Sequence, residues 1–268
     1  MILAACFLAA AGTTSKADII YGVSDSLDEI FSFDSSSPGG LLSAHALSGL
    51  DTGEQIRGID WLNGTLYGLG DQSHLYTINP NTGAASLVGS GAFTPALNGV
   101  SFGFNGDSSQ LYVESNLGQN ITLNPNTGAA TAGPNYTGAT VEAMAYDSLN
   151  GNFYGLSAET GDLYGLNPAT GATTLIGPSG ITLSDELGFS ISPGTGAAYF
   201  AGVVGGQSQL YDVNLSTGAF TALGALDPSE LSTAGIDTIA VVPEPGTMGL
   251  LAVGGGLALR FWRRRQAN

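Results

Sequence analysis

The sequence predicts an all-β protein, a five-bladed β-propeller, and three observations predict it. One phrase recurs at residues 75–83 (LYTINPNTG), 121–128 (ITLNPNTG), 163–171 (LYGLNPATG) and 210–218 (LYDVNLSTG), with a weaker copy at 30–34 (IFSFD). Its polar anchors, Asp34, Asn79, Asn124, Asn167 and Asn214, stand about 45 residues apart, the length of a four-stranded propeller blade. A Tyr keeps the same period at Tyr21, Tyr67, Tyr112, Tyr154 and Tyr199, and a small residue follows it at Gly58, Gly99, Ala143, Gly188 and Gly235. Finally, Gly is 41 of 268 residues beside 43% hydrophobic residues. With no collagen period and no helical period between the two ends, that composition suits short buried strands joined by tight turns.

Each unit reads as four strands. In the second they are residues 56–62, 65–70, 74–79 and 84–89. Asn63-Gly64 is a two-residue hairpin turn because both residues tolerate positive φ, and Asn150-Gly151 reads the same way. In Asn79-Pro80-Asn81-Thr82-Gly83, Pro fixes φ and Gly supplies the left-handed residue. The first unit starts at its second strand, Ile19 to Val23. The last copy, Gly235-Ile236-Asp237, repeats Gly58-Ile59-Asp60 and has no second strand after it. Pairing these two remnants closes the ring and removes two sheet edges. An open β-solenoid of the same repeat is the alternative.

The charges are segregated. The chain has 22 acids and 6 bases, net -16, yet all the acids lie between Asp18 and Glu244, where Arg57 is the single base. A nucleic-acid partner is excluded, since no cationic face exists to displace counterions. Residues 1–17 read as a signal peptide. Ile2 to Ala11 is an apolar run too short to span a bilayer, and small residues precede a signal-peptidase cut between Ala17 and Asp18. No base precedes Ile2, as in a start internal to a longer signal. Cys6, the one cysteine, leaves with this segment, so the mature chain has no disulfide or Cys-based chemistry.

Residues 243–268 form a separate tail. Pro243-Glu244-Pro245 is a stiff spacer. Residues 247–262 are a short hydrophobic helix and candidate transmembrane segment, and Arg263, Arg264 and Arg265 form a cationic, cytoplasmic end. The helix would be about 24 Å long against a hydrocarbon core of roughly 30 Å, a shortfall that snorkelling by Arg260 and bilayer thinning offset. This order of spacer, apolar stretch and Arg cluster resembles the PEP-CTERM sorting signal of bacteria that make exopolysaccharide. The resemblance implies recognition and processing near Pro243, Glu244 and Pro245 by an exosortase, and a cell-surface or extracellular-matrix destination.

The ectodomain, residues 18–242, resembles a bacterial family known as domain of unknown function 4394. The resemblance is carried by Phe33-Asp34, Pro38-Gly39, Gly49-Leu50, Gly53-Glu54, Gly58-Ile59-Asp60, Leu66 to Gly70, Leu75-Tyr76, Gly118-Gln119-Asn120 and Asn124 to Gly128. It implies a secreted propeller-like fold and no established activity.

No catalytic motif occurs: neither H-E-x-x-H, G-x-S-x-G, a P-loop nor an EF-hand loop. His45 and His74, on different blades, read as surface or edge residues. One cluster of acids is a weak metal candidate. Glu54, Glu142, Asp185 and Glu186 fall near the starts of innermost strands, and Asp60 and Asp237 two residues after the small-residue marker. Convergence at one channel mouth would suit Ca²⁺, while a solvated acidic surface explains the same residues. The expected function is therefore a non-enzymatic binding or structural module without a cofactor, with exopolysaccharide or a protein as partner and Trp61 and the repeated Tyr as candidate sugar-stacking surfaces. The alternative is a polysaccharide-active enzyme with paired channel carboxylates about 5 to 10 Å apart.

Overall fold

The computed structural model describes residues 17–184, 187–226 and 235–242. The described residues form twenty strands and no helix. Blade 2 is β4 (Ile56–Leu62), β5 (Thr65–Gly70), β6 (Leu75–Ile78) and β7 (Ala85–Val88). Blade 3 is β8 (Phe102–Gly106), β9 (Leu111–Ser115), β10 (Asn120–Leu123) and β11 (Ala130–Ala132), and blade 4 is β12 (Ala143–Asp147), β13 (Asn152–Leu156), β14 (Asp162–Asn167) and β15 (Ala172–Pro178). Blade 5 is β16 (Leu187–Ile191), β17 (Ala198–Val204), β18 (Gln207–Val213) and β19 (Phe220–Ala225). Blade 1 combines both ends of the domain: β20 (Thr238–Val242) precedes β1 (Ile19–Ser24), β2 (Glu29–Asp34) and β3 (Ser37–Ala46).

All pairings within the blades are antiparallel, and β4, β8, β12, β16 and β20 pack side by side as the innermost ring. The ring is closed: Ile19 pairs with Val242, Tyr21 with Ala240 and Val23 with Thr238. That closure excludes the solenoid. The register corrects one reading. Tyr21 faces Ala240 as Tyr67 faces Asp60, so Ala240 is the counterpart of Asp60 and Thr238 that of Gly58. The Gly235-Ile236-Asp237 match is thus three residues out of step. In blade 3 the small residue is likewise Gly103, opposite Glu114, and not Gly99. Local similarity picked the wrong glycines because register is decided by the neighbouring strand.

The repeated motifs have physical reasons. Each Asn anchor caps its own turn: Asn79, Asn124, Asn167 and Asn214 accept the backbone N–H two residues on through Oδ1. The Gly that ends each phrase sits at φ of about +70 to +80°, and its N–H donates to the anchor's carbonyl at 2.8–2.9 Å. It also touches the preceding blade. A Cβ on Gly83, Gly171 or Gly218 would lie within 2.2 Å of the carbonyl of Ala46, Asn135 or Gly177. On the inner ring, a Cβ on Gly58 or Gly103 would strike Phe104 or the backbone of Met144 in the next blade. High Gly content therefore serves close blade-to-blade contact as well as turns.

Five hydrophobic clusters fill the five seams between blades. The Asn63-Gly64 turn has both residues at positive φ, 50° and 86°. Asn150-Gly151 does not form such a turn. Asp147 pairs with Asn152 across a four-residue loop, in which the Asp147 carboxylate accepts from the Leu149 N–H and the Asn150 side chain.

Candidate functional site

The inner strands end at one mouth of the central channel, where a cleft of about 380 Å³ opens. Trp61, Asn63, Asn105, Asp107 and Tyr146 line it, with Asp60 below them and Ile191 and Val241 opposite. Trp61 lies nearly parallel to Tyr21, 6.4 Å between ring centroids and 7° between planes, and Tyr146 packs on Phe153 at 4.6 Å. The two lining aromatics are therefore held by other rings, and among the described residues no basic side chain lines the cleft. Its chemistry is aromatic face beside amide and carboxylate, which suits a neutral, hydroxyl-rich ligand better than an anion.

The polar floor belongs to a girdle. Asp60 accepts from Asn105 Nδ2 at 3.0 Å and from the Gly106 N–H at 2.9 Å. Asn105 Oδ1 accepts the Tyr146 N–H at 2.9 Å, one blade further. Ser190 takes the Val241 N–H and Thr238 the Ile59 N–H in the same manner. Each bond joins neighbouring blades, and all but the Asn105–Asp60 contact end on the next blade's inner backbone. Burial pushes the Asp60 carboxyl up to about 7, against the two backbone N–H bonds that hold it down. Nearby Asp107 goes the other way: despite the desolvation it suffers, hydrogen bonds from Ser109, Gln110 and Tyr112 lower it.

The opposite mouth is nearly shut. Arg57, Ser101, Glu142, Leu187 and Asp237 surround a void of only about 30 Å³. Arg57 reaches Asp25 at 2.5 Å and Asp237 at 3.8 Å, so a guanidinium already faces these carboxylates. Glu142 accepts the Ala158 N–H at 2.8 Å. Of the predicted cation ligands, Glu142 and Asp237 thus meet here and Asp60 sits at the other mouth. Glu54 is buried inside blade 2, while Asp185 and Glu186 lie outside the described residues. The four described members do not converge. A strand start and a point four residues along it face different mouths, so acids near the starts of the inner strands are not equivalent.

The sequence reading of His74 is also corrected. It is buried, with Nδ1 2.9 Å from Oε2 of Glu54. Nothing local marked this contact, because it joins a loop before β4 to one before β6. His45 is partly exposed on the outer strand β3. The signal segment before Ala17, the sorting residues Pro243, Glu244, Pro245, Arg263, Arg264 and Arg265, and the apolar stretch 247–262 lie outside the described residues. Among the described residues, no helix is long and apolar enough to cross a membrane.

A closed five-bladed ring with one open and one plugged mouth defines a propeller module. More particularly, the chain belongs to the family described as domain of unknown function (DUF4394), whose model matches residues 29–237. The PEP-CTERM protein-sorting motif matches residues 241–265 and implies exosortase processing, consistent with export and a surface location. Among curated proteins no relative matches. Among solved structures, a chain of a nidogen/laminin complex is similar with a TM-score of 0.52 at 10% identity, covering 85% of this chain and 99% of that one. A protein of unknown function from Bacteroides caccae matches with a TM-score of 0.50 at 10% identity, over 85% and 100%. One from Bacteroides thetaiotaomicron matches at 0.52 and 13% identity, over 78% of this chain and 58% of its own. At such identities the likeness is one of fold.

Proposed function

We propose that this protein is an exported propeller, displayed at the cell surface or in the extracellular matrix, that binds a neutral polysaccharide without chemical turnover. One observation carries the reading: at the open mouth, Trp61 and Tyr146 present ring surface beside Asn63, Asn105 and Asp107, in a cleft where no cationic side chain among the described residues would attract an anionic polymer. The polar groups provide orientation and the rings provide apolar area, the usual division of labour in a small-molecule site. The domain boundary supports the export reading. Asp18 is already folded in, its N–H on Ser35 and its carboxylate accepting from Ser192, Thr195 and Tyr199, so the propeller begins where the signal would end.

The test is a glycan array followed by calorimetry on the hits. Binding of a neutral glycan that falls at least tenfold in Trp61→Ala supports the reading. A protein that binds no glycan, or whose binding ignores Trp61, overturns it. Deleting residues 243–268 is expected to move the protein out of the surface fraction, and an unchanged distribution would refute the sorting reading.

One observation favours the enzymatic alternative. Asp60 and Asp107 border the same cleft with carboxyls pushed apart, one up and one down, as an acid and a base require. Against it, Asp107 spends both oxygens on its own turn, Oδ1 on Ser109 and Gln110 and Oδ2 on Tyr112. Product release from a bound glycan, abolished in Asp60→Asn, would establish the alternative.

A further inference from the structure

In blade 2, a buried histidine and an exposed aspartate stand on a framework of buried polar groups. The Glu54 side chain is wholly buried. Its Oε2 accepts the Tyr76 hydroxyl at 2.5 Å and its Oε1 the Gln72 N–H at 3.2 Å. It also lies 2.9 Å from His74 Nδ1. Space for it exists because residue 70 is Gly: a Cβ there would fall 2.0 Å from Oε1. A carboxylate accepts, so Nδ1 of His74 carries a proton, and in the neutral ring the lone pair is on Nε2. That lone pair points to Oδ2 of Asp51 at 3.5 Å. Asp51 is itself positioned, since its N–H donates to the same Tyr76 hydroxyl at 3.2 Å.

With the ring neutral, two acceptors that face each other at this distance repel unless a proton or a metal cation lies between them. The separation is informative. Two ligands on one tetrahedral ion, with metal–ligand bonds of about 2.0–2.2 Å, stand about 3.4 Å apart. A ligating His whose other nitrogen donates to a buried carboxylate is the usual outer arrangement of such sites, because it sets the tautomer and strengthens the donor. Asp51 is 63% exposed, so the remaining coordination positions open to water. An imidazole donor does not suit Ca²⁺ or Mg²⁺, which take oxygen.

We propose that His74 Nε2 and Asp51 form a labile binding site for a divalent transition metal of the zinc class, with Glu54 as the buried partner that orients the imidazole. The site lies outside the channel and is independent of glycan binding. The test uses the untagged full chain with Co²⁺ as a visible-light probe and Zn²⁺ as competitor. One equivalent of Co²⁺ is expected to produce ligand-field absorption that Zn²⁺ abolishes, with affinity falling at least tenfold in both Asp51→Asn and His74→Gln. Asp51→Asn changes an exposed carboxylate and keeps the melting temperature, so it decides the matter if His74→Gln does not fold. Absence of Co²⁺ and Zn²⁺ binding overturns the proposal, and the cluster is then a proton-bridged ion triad. Binding that persists in Asp51→Asn overturns it as well and places the metal elsewhere, with His45 the next donor to examine.

Discussion

The guanidinium of Arg57 lies 3.8 Å from the carboxylate of Asp237 and ties the second blade to the strand that closes the ring. Asp237 also accepts the N–H of Asp25 at 2.8 Å, and Arg57 bridges to Asp25 at 2.5 Å. The single base of the ectodomain is thus a clasp on the closure. Arg57→Ala leaves two mostly covered carboxylates facing each other. The expected loss is about 1–3 kcal/mol, between a surface pair and a fully buried one. Thermal melts at low and high salt check this. The deficit should shrink in high salt, and an unchanged melting temperature would show that the clasp contributes nothing.

Glu114 occupies the place that Leu69, Leu156, Ala201 and Val23 hold in the other blades. It is fully buried, neither carboxyl oxygen makes a full hydrogen bond among the described residues, and desolvation together with the charge of Glu142 holds it well above the usual carboxylate range, against a weaker pull from the Gly103 N–H. Glu114→Leu restores the rule of the other blades. It should stabilise the fold by about 1–3 kcal/mol, the cost of a buried polar group short of hydrogen bonds. A lower melting temperature would mean that the carboxyl has a structural task.

Asp60 makes stability fall as pH rises. Its carboxyl titrates at about 7 in the fold against 3.8 in the open chain, so between those values the folded state holds more protons. The contribution is complete below about pH 4 and lost progressively up to about pH 7, on the order of a few kcal/mol. Denaturant melts across that range should slope downward in the native protein and less so in Asp60→Asn. Equal slopes would refute the assignment.

Gly171 should tolerate no side chain. It has φ of +70°, and a Cβ would lie 2.1 Å from the Asn135 carbonyl in the preceding blade. Gly180 has φ of +80° with open space around it. Gly180→Ala therefore incurs backbone strain alone, about 1 kcal/mol. Gly171→Ala adds a clash with backbone and should cost at least twice as much in chemical denaturation. Equal costs would show that the blades simply move apart.

Blade number, strand count and ring closure were legible in the sequence because each rests on local chemistry repeated five times. An Asn that caps its own turn, a Gly at positive φ and a Tyr at a fixed strand position all leave marks within a few residues. The apolar and cationic order of the tail is equally local. Three-dimensional packing alone decided the rest. Strand register moved the counterpart of Asp60 from Asp237 to Ala240, because pairing with the next strand outweighs a resemblance between short words. Only the ring sent Asp60 and Asp237 to opposite mouths, and only the packing of two loops within blade 2 joined Glu54 to His74. Such contacts depend on how blades and loops approach one another, a distance that no single stretch of chain encodes.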